Sequence, residues 1–308
     1  PVPDTPHRIT VLRLGGESDL EEVPASSLKE GMKLFQFTEG AYYRLETIDL
    51  GGDPDSAPSK LEEAVRGGSD LVVITHPLVL RAVATREVGR PLVFGILGDP
   101  RVLGAGEAEE RHRPGLTGAY NPLPASRLLT LVRYYRPGAK RVGVAFDSGE
   151  PLSVAHKDAL IRESARAGFE VVAVDAGGGD DPSAAIEGLL NEPLDAICLV
   201  AGLGASTSML IERAARAKVP VFGYREDQVR KGALAAEVPK VDRVGLEAGR
   251  MAYRVLGGET PGGIPLERIN DTEPVVNLKV AEALGIELPT GALRISRAIG
   301  GGPSAPTD

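Results

Sequence analysis

The residues best suited to chemistry in this 308-residue chain stand at the ends of short apolar runs. RITVLRLGGE ends in Gly16 and Glu17, LVVITHP brings Thr75 and His76, and LVFGILGDP brings Leu97 and Asp99. Further on, RVGVAFDSGE ends in Asp147, Ser148 and Glu150, DAICLVAGLG in Gly202 and Leu203, and VPVFGYRED brings Tyr224 and Arg225. Each run reads as a buried strand, and in open parallel sheets ligands bind at the carboxyl ends of strands. Hydroxyl, carboxylate, imidazole, guanidinium and glycine N–H groups at such ends are the polar groups that orient a small ligand in a mostly apolar pocket. At each single position a turn or a helix cap is the competing role.

Catalysis finds no support in the residue pattern. There is no Gly-x-Ser-x-Gly elbow, and the single cysteine, Cys198, lies inside the run DAICLVAG, where a buried strand thiol is expected. His7, His76, His112 and His156 are scattered, with no second ligand at metal spacing, so no metal site is expected. GLGAST at 202–207 follows a strand and opens a helix, but Thr207 stands where a dinucleotide fingerprint wants glycine or alanine. A helix start that receives a carboxylate is the better use of that loop. DAGGGDDPS lacks the lysine of a P-loop, and no cofactor is expected.

The elements that must position these residues alternate. RITVLRLGG and YYRLETIDLGG read as strands with a helix near 26–37 between them, and PSKLEEAVRGGSD as a helix with a serine cap and a glycine stop. The pattern restarts after Gly115: KRVGVAFDSGE, EVVAVDAGGGDD, LDAICLVAGLG and VPVFGYRED alternate with helical segments, including SVAHKDALIRESARAGF and 206–217. DRVGLEAGRMAYRVLGG reads as a long helix ended by glycine, then a strand ending in EPVVNL and the helix LKVAEALGI. Two tandem βα sets predict an α/β protein of two lobes, each a parallel sheet flanked by helices. The last elements return to dress both, so several crossings would form a multi-stranded hinge.

Composition agrees with this reading. Hydrophobic residues make up 42% and charged residues 25%, as in ordinary globular domains. A net charge of -8 without a basic run argues against nucleic acid as a partner. No run reaches the roughly 20 apolar residues of a membrane span, and the start PVPDTPHRIT lacks the pattern of an export signal.

Four segments, LTGAYNPLP, RPGAKRVGVAFDSGEPLS, VPVFGYREDQVRKGALAAEVPKVDRVGLEAGRMAYRVLGGETPGGIPLE and VVNLKVAEALGIELP, resemble the ABC-transporter substrate-binding family. The similar branch has a type I periplasmic-binding-protein fold and includes tryptophan and tyrosine binders. The likeness covers residues 70–295 well and the first 60 poorly. Thr117-Gly118, Asp147-Ser148-Gly149-Glu150, Arg230-Lys231-Gly232-Ala233-Leu234 and Gly249-Arg250 stand at the branch's characteristic places. Where members carry an Asp-Asn pair, this chain has Gly202-Leu203, and Tyr224-Arg225 replaces small or acidic residues. Gaining a guanidinium would favour a small carboxylate, since arginine grips carboxylates through two parallel bonds. Pairing of Arg225 with Glu226 or Asp227 is the equal alternative.

The resemblance implies a monomeric, periplasmic or extracellular membrane-anchored protein that captures a small molecule between its lobes and presents it to a membrane permease. Its lobes are expected at 1–119 with about 235–260, and 120–234 with about 261–300, followed by a flexible tail at 301–308. Thr117, Gly118 and Tyr120 are the expected hinge, and Asp147 to Glu150 the first ligand-facing loop of the second lobe. A ligand-sensing module of a regulator or receptor is the alternative, with a doubly wound enzyme behind it.

Overall fold

The computed structural model describes residues 5–16, 22–177 and 181–300. Glu17 and the tail at 301–308 lie outside the described residues. The chain divides into two compact units, 1–122 with 240–271 and 123–239 with 272–308, so it passes between units three times.

The first stretch lays down β1 (His7–Arg13), α1 (Ala25–Lys33), β2 (Tyr43–Asp49), α2 (Ala57–Arg66), β3 (Leu71–Ile74), α3 (Pro77–Val83), β4 (Leu92–Leu97) and β5 (Leu116–Asn121). The second adds α4 (Ala125–Tyr135), β6 (Arg141–Phe146), α5 (Pro151–Ala167), β7 (Glu170–Asp175), α6 (Pro182–Leu190), β8 (Ala196–Cys198), α7 (Ser206–Arg216), β9 (Val221–Gly223), α8 (Glu226–Arg230) and β10 (Ala235–Pro239). The chain then returns to the first unit for α9 (Val241–Leu256) and β11 (Glu267–Arg268). It ends in the second with β12 (Thr272–Asn277), α10 (Leu278–Ala283), α11 (Ala292–Ile295) and β13 (Arg297–Ile299).

The first unit holds a six-stranded sheet, β11-β5-β4-β3-β1-β2, parallel throughout. The second holds seven strands, β13-β12-β10-β9-β8-β6-β7, in which only β12 against β10 is antiparallel. Leaving out the added edge strands, both units use one order, with the first strand inserted between the second and the third. Every residue of β3, β4 and β5 is buried, as expected of parallel strands covered by helices on both faces.

Glycine permits one close helix contact in the first unit. A methyl group on Gly31 of α1 would stand 2.0 Å from the Leu246 carbonyl oxygen, and one on Gly249 of α9 would stand 2.1 Å from that of Leu28. The two backbones therefore approach where no side chain intervenes. α9 also packs on β4 and β5, so it covers the sheet as well as α1.

One local expectation needs correction. Neither Ser56 nor Ser59 caps α2 through its side chain; Asp53 caps a short 3-10 turn just ahead of it by accepting from the Asp55 N–H at 3.0 Å, and proline occupies the first turn of α2. The expected hinge residues Thr117, Gly118 and Tyr120 lie in buried β5, which ends just before the crossing at Pro122–Leu123. There Leu123 adopts φ 62°, a left-handed backbone uncommon for leucine.

Candidate functional site

In each sheet the strand order reverses once, between β1 and β3 in the first unit and between β6 and β8 in the second. At such a reversal the flanking connections leave to opposite faces, opening a crevice at the carboxyl ends of the two strands. The first crevice is organised by a residue that the strand-end pattern does not single out. Glu22 Oε1 accepts from the Thr75 hydroxyl at 2.6 Å and from the Leu14 N–H at 3.1 Å, and its Oε2 accepts from the Gly15 N–H at 3.4 Å. Arg13 Nε lies 3.4 Å from Glu22 and 3.5 Å from Asp49. A cavity of about 370 Å³ opens beside this cluster, lined by Val11, Arg13, Glu22, Thr47 and Thr75 among others.

The other expected residues of this unit have structural duties. Gly15 and Gly16 both have φ +65°, and a methyl group on Gly15 would meet the Asp49 carboxylate at 2.1 Å. His76 is buried and caps α3, its Nδ1 accepting from the Leu78 N–H at 3.2 Å. Leu97 is wholly buried in β4. Asp99 is held by its own loop, accepting from Arg101 N at 2.9 Å and from its guanidinium Nε at 2.8 Å. Tyr120 donates its hydroxyl to Glu109 at 2.6 Å; burial and that bond raise the phenol pKa, and the same bond holds Glu109 below the usual carboxylate range. Thus Thr75 with Glu22 marks the first crevice, while His76, Leu97 and Asp99 support it.

The second crevice gathers more of the expected residues. Asp147 Oδ1 accepts from the Gly149 N–H at 2.8 Å, and the Ser148 N–H donates to Asp175 Oδ1 at 3.2 Å. The Asp147 N–H donates in turn to Ser153 Oγ at 2.9 Å, which fastens this loop to the first turn of α5. Gly202 has φ +82°, and a methyl group there would stand 3.1 Å from Glu150 Cβ and 3.2 Å from Ser153 Cβ. Its neighbour Ala201 donates its N–H to Nδ1 of His156 at 3.3 Å. Leu203 is buried beside it.

Tyr224 is buried too, meets the His156 ring edge-on at 5.6 Å between centroids, and directs its hydroxyl at the Val200 carbonyl, 3.5 Å away. Asp147, Ser148, Gly202, Leu203 and Tyr224 therefore share one end of the second sheet. Arg225 is adjacent, with its Nε bonded to Asp227 at 2.6 Å. That pairing with Asp227 is one of the two roles expected of it. Burial pushes the Cys198 thiol up to about 12, so it is an inert core residue and not a nucleophile. Among the described residues no His, Cys, Asp and Glu cluster could hold a metal.

Ser153, His156 and Glu22 were outside the sequence pattern because none stands at a strand end. The two α5 residues are three apart and so share a helix face, which is a signal only once their contacts are known. Glu22 is one of several acids in ESDLEE, and spacing does not select it.

Residues 21–297 match the family described as ABC transporter substrate binding protein. The chain belongs to that family. Family members are solute-binding proteins rather than enzymes and work outside the cytoplasmic membrane, in the periplasm or extracellularly. A tyrosine-binding protein of Clostridioides difficile is 25% identical over 255 residues, covering 82% of this chain and 73% of that one. Among solved structures, an ABC domain in complex with L-Trp from Streptococcus pneumoniae superposes with a TM-score of 0.80 at 20% identity, covering 96% of this chain and 100% of that one. A ligand-free, open substrate-binding protein with adhesive properties from Clostridium difficile gives 0.76 at 21% identity, covering 95% and 99%. These likenesses fix the two-lobe periplasmic-binding-protein architecture. No helix among the described residues is long and apolar enough to cross a membrane.

Proposed function

We propose that this family member is the solute-binding component of an ABC importer, taking an amino-acid-like solute or a small carboxylate, aromatic ones included, and delivering it as a monomer to a membrane permease. The observation that carries the reading is the pair of crevices at the strand reversals, one walled by Thr75 and Glu22, the other by the 147–150 and 200–203 loops, in a chain of this family. The curated relative binds tyrosine and a structural neighbour holds L-Trp, which directs the choice of ligands to try.

Arg225 beside buried Tyr224 suits an aromatic carboxylate, whereas Asp147 and Asp175 supply the negative charge that an ammonium group would meet. The Arg225–Asp227 pair divides the guanidinium's charge, so the preference for a plain carboxylate is weaker than the sequence alone implies. Thermal unfolding with L-tyrosine, L-tryptophan, other amino acids and the deaminated aromatic acids tests the reading. A true ligand at about 100 times its Kd adds about 2.7 kcal/mol of stability, a rise of a few degrees in Tm. A flat response across the panel would remove the reading.

A further inference from the structure

The second crevice depends on two buried polar side chains that the ligand loops do not themselves contain. Ser153 and His156 lie three residues apart on α5, 0% and 4% exposed. One accepts the Asp147 N–H and the other the Ala201 N–H, so the two loops flanking the strand reversal rest on the same helix face. Tyr224 closes the arrangement, its ring against His156 and its hydroxyl toward Val200. Because Nδ1 accepts, the neutral ring carries its proton on Nε2. Protonating Nδ1 would turn that acceptor into a donor facing another donor and would place a charge in the core.

We propose that Ser153 and His156 are positioning residues for the ligand loops of the second unit, and that protonation of His156 releases the 200–203 loop and lowers ligand affinity in acid. The affinity clause rests on the proposed solute-binding function; the loop-positioning clause does not.

The surroundings leave His156 without electrostatic help. On its own helix, Lys157 pairs with Asp158 at 2.7 Å, and Glu150 lies at the helix start against Gly202. In the loop after β6, Asp147 accepts from Gly149, and after β7, Asp175 accepts from Ser148 and Gly177. Beyond β9, Arg225 pairs with Asp227, leaving Tyr224 as the titratable ring in contact. From Leu199 to Thr207 the sequence has no titratable side chain. Burial alone lowers the imidazole pKa, to about 4.

Nuclear magnetic resonance of the ¹⁵N-labelled full chain, with calorimetric titration of L-tyrosine, L-tryptophan and their deaminated acids, provides the test. The Ala201 amide should be protected at pH 7.5, lose protection as the His156 ring protonates, and exchange freely in His156→Ala. Ser153→Ala should expose the Asp147 amide without adding a pH dependence. Affinity for whichever probe binds should fall about 2-fold between pH 7.5 and 4.0 in the wild type, and further below that. His156→Gln retains an uncharged acceptor, so its affinity should vary far less.

Equal pH dependence in wild type and His156→Gln overturns the proposal, as does an Ala201 amide equally protected in wild type and His156→Ala. If no probe binds, the ligand reading fails and the amide measurements still decide the role of His156. Should His156→Ala fail to fold, the wild-type pH series and His156→Gln carry the same decision.

Discussion

Glu237 on β10 is buried, with one carboxylate oxygen, Oε2, lacking a hydrogen-bond partner within geometric reach among the described residues. Burial raises its pKa, with Thr272 and Arg127 acting in the opposite direction. A buried carboxylate without full compensation costs stability, so Glu237→Gln should raise the unfolding free energy at neutral pH by about 1 kcal/mol, read as a higher urea midpoint. An unchanged or lower midpoint would show that the carboxylate is better satisfied than this geometry implies. His156 acts on stability in the familiar sense for a buried neutral base. Its folded pKa of about 4 lies below the ordinary 6.5, so its contribution is complete above pH 6.5 and is lost as pH falls through 4. The full effect is about 3 kcal/mol at 1.36 kcal/mol per pKa unit. Denaturation at pH 7 and pH 4.5 should show a smaller acid loss in His156→Gln than in the wild type.

At the scale of elements, the α1 and α9 contact is the strictest fit in the first unit. Gly249→Ala would drive a methyl group against the Leu28 carbonyl, and since that atom is backbone the helices must separate. A loss of about 1–3 kcal/mol is expected, whereas alanine at exposed Gly188 inside α6, where a methyl group meets nothing within 4 Å, should stabilise by up to about 1 kcal/mol. The strands with long β-branched runs, β1, β3, β4, β6 and β7, were legible in the sequence, and so were the loops that follow them. β5 and β10 were not. LTGAYN and AAEVP are short and rich in small residues, so neither β propensity nor alternation marks them, and their pairing in the sheet decides their form. Strand ends led to Thr75, Asp147, Ser148, Gly202 and Tyr224 because that rule is topological. The same rule passes over Glu22 and His156, which reach the crevices by tertiary contact, and it does not show that His76 is spent on capping a helix.

For the molecule as a whole, family membership and the shared strand order make each unit a variant of one design, with its crevice at an equivalent reversal. The three crossings converge within each unit: Lys240 N–H and the Asn121 side chain both donate to the Asp271 carbonyl, at 3.0 and 3.4 Å, and Pro239 pairs with Thr272. A substitution at any crossing therefore disturbs its neighbours. Replacing Leu123 by glycine relieves its left-handed backbone but adds freedom in the unfolded chain. It should speed exchange of amides at the other crossings while leaving those of β3 and β8 unchanged.

The interleaving of α9 also sets an order on synthesis. A ribosome releasing this chain completes β1 to β5 long before residue 241 exists, yet α9 is what covers α1, β4 and β5. The first unit must wait, with apolar faces open, until the second has largely been made. A released chain that ends at residue 239 should remain protease-sensitive in the first unit, and one that ends at residue 271 should gain protection there in a single step. Any helper protein that engages the emerging chain therefore has the first unit as its client for most of translation.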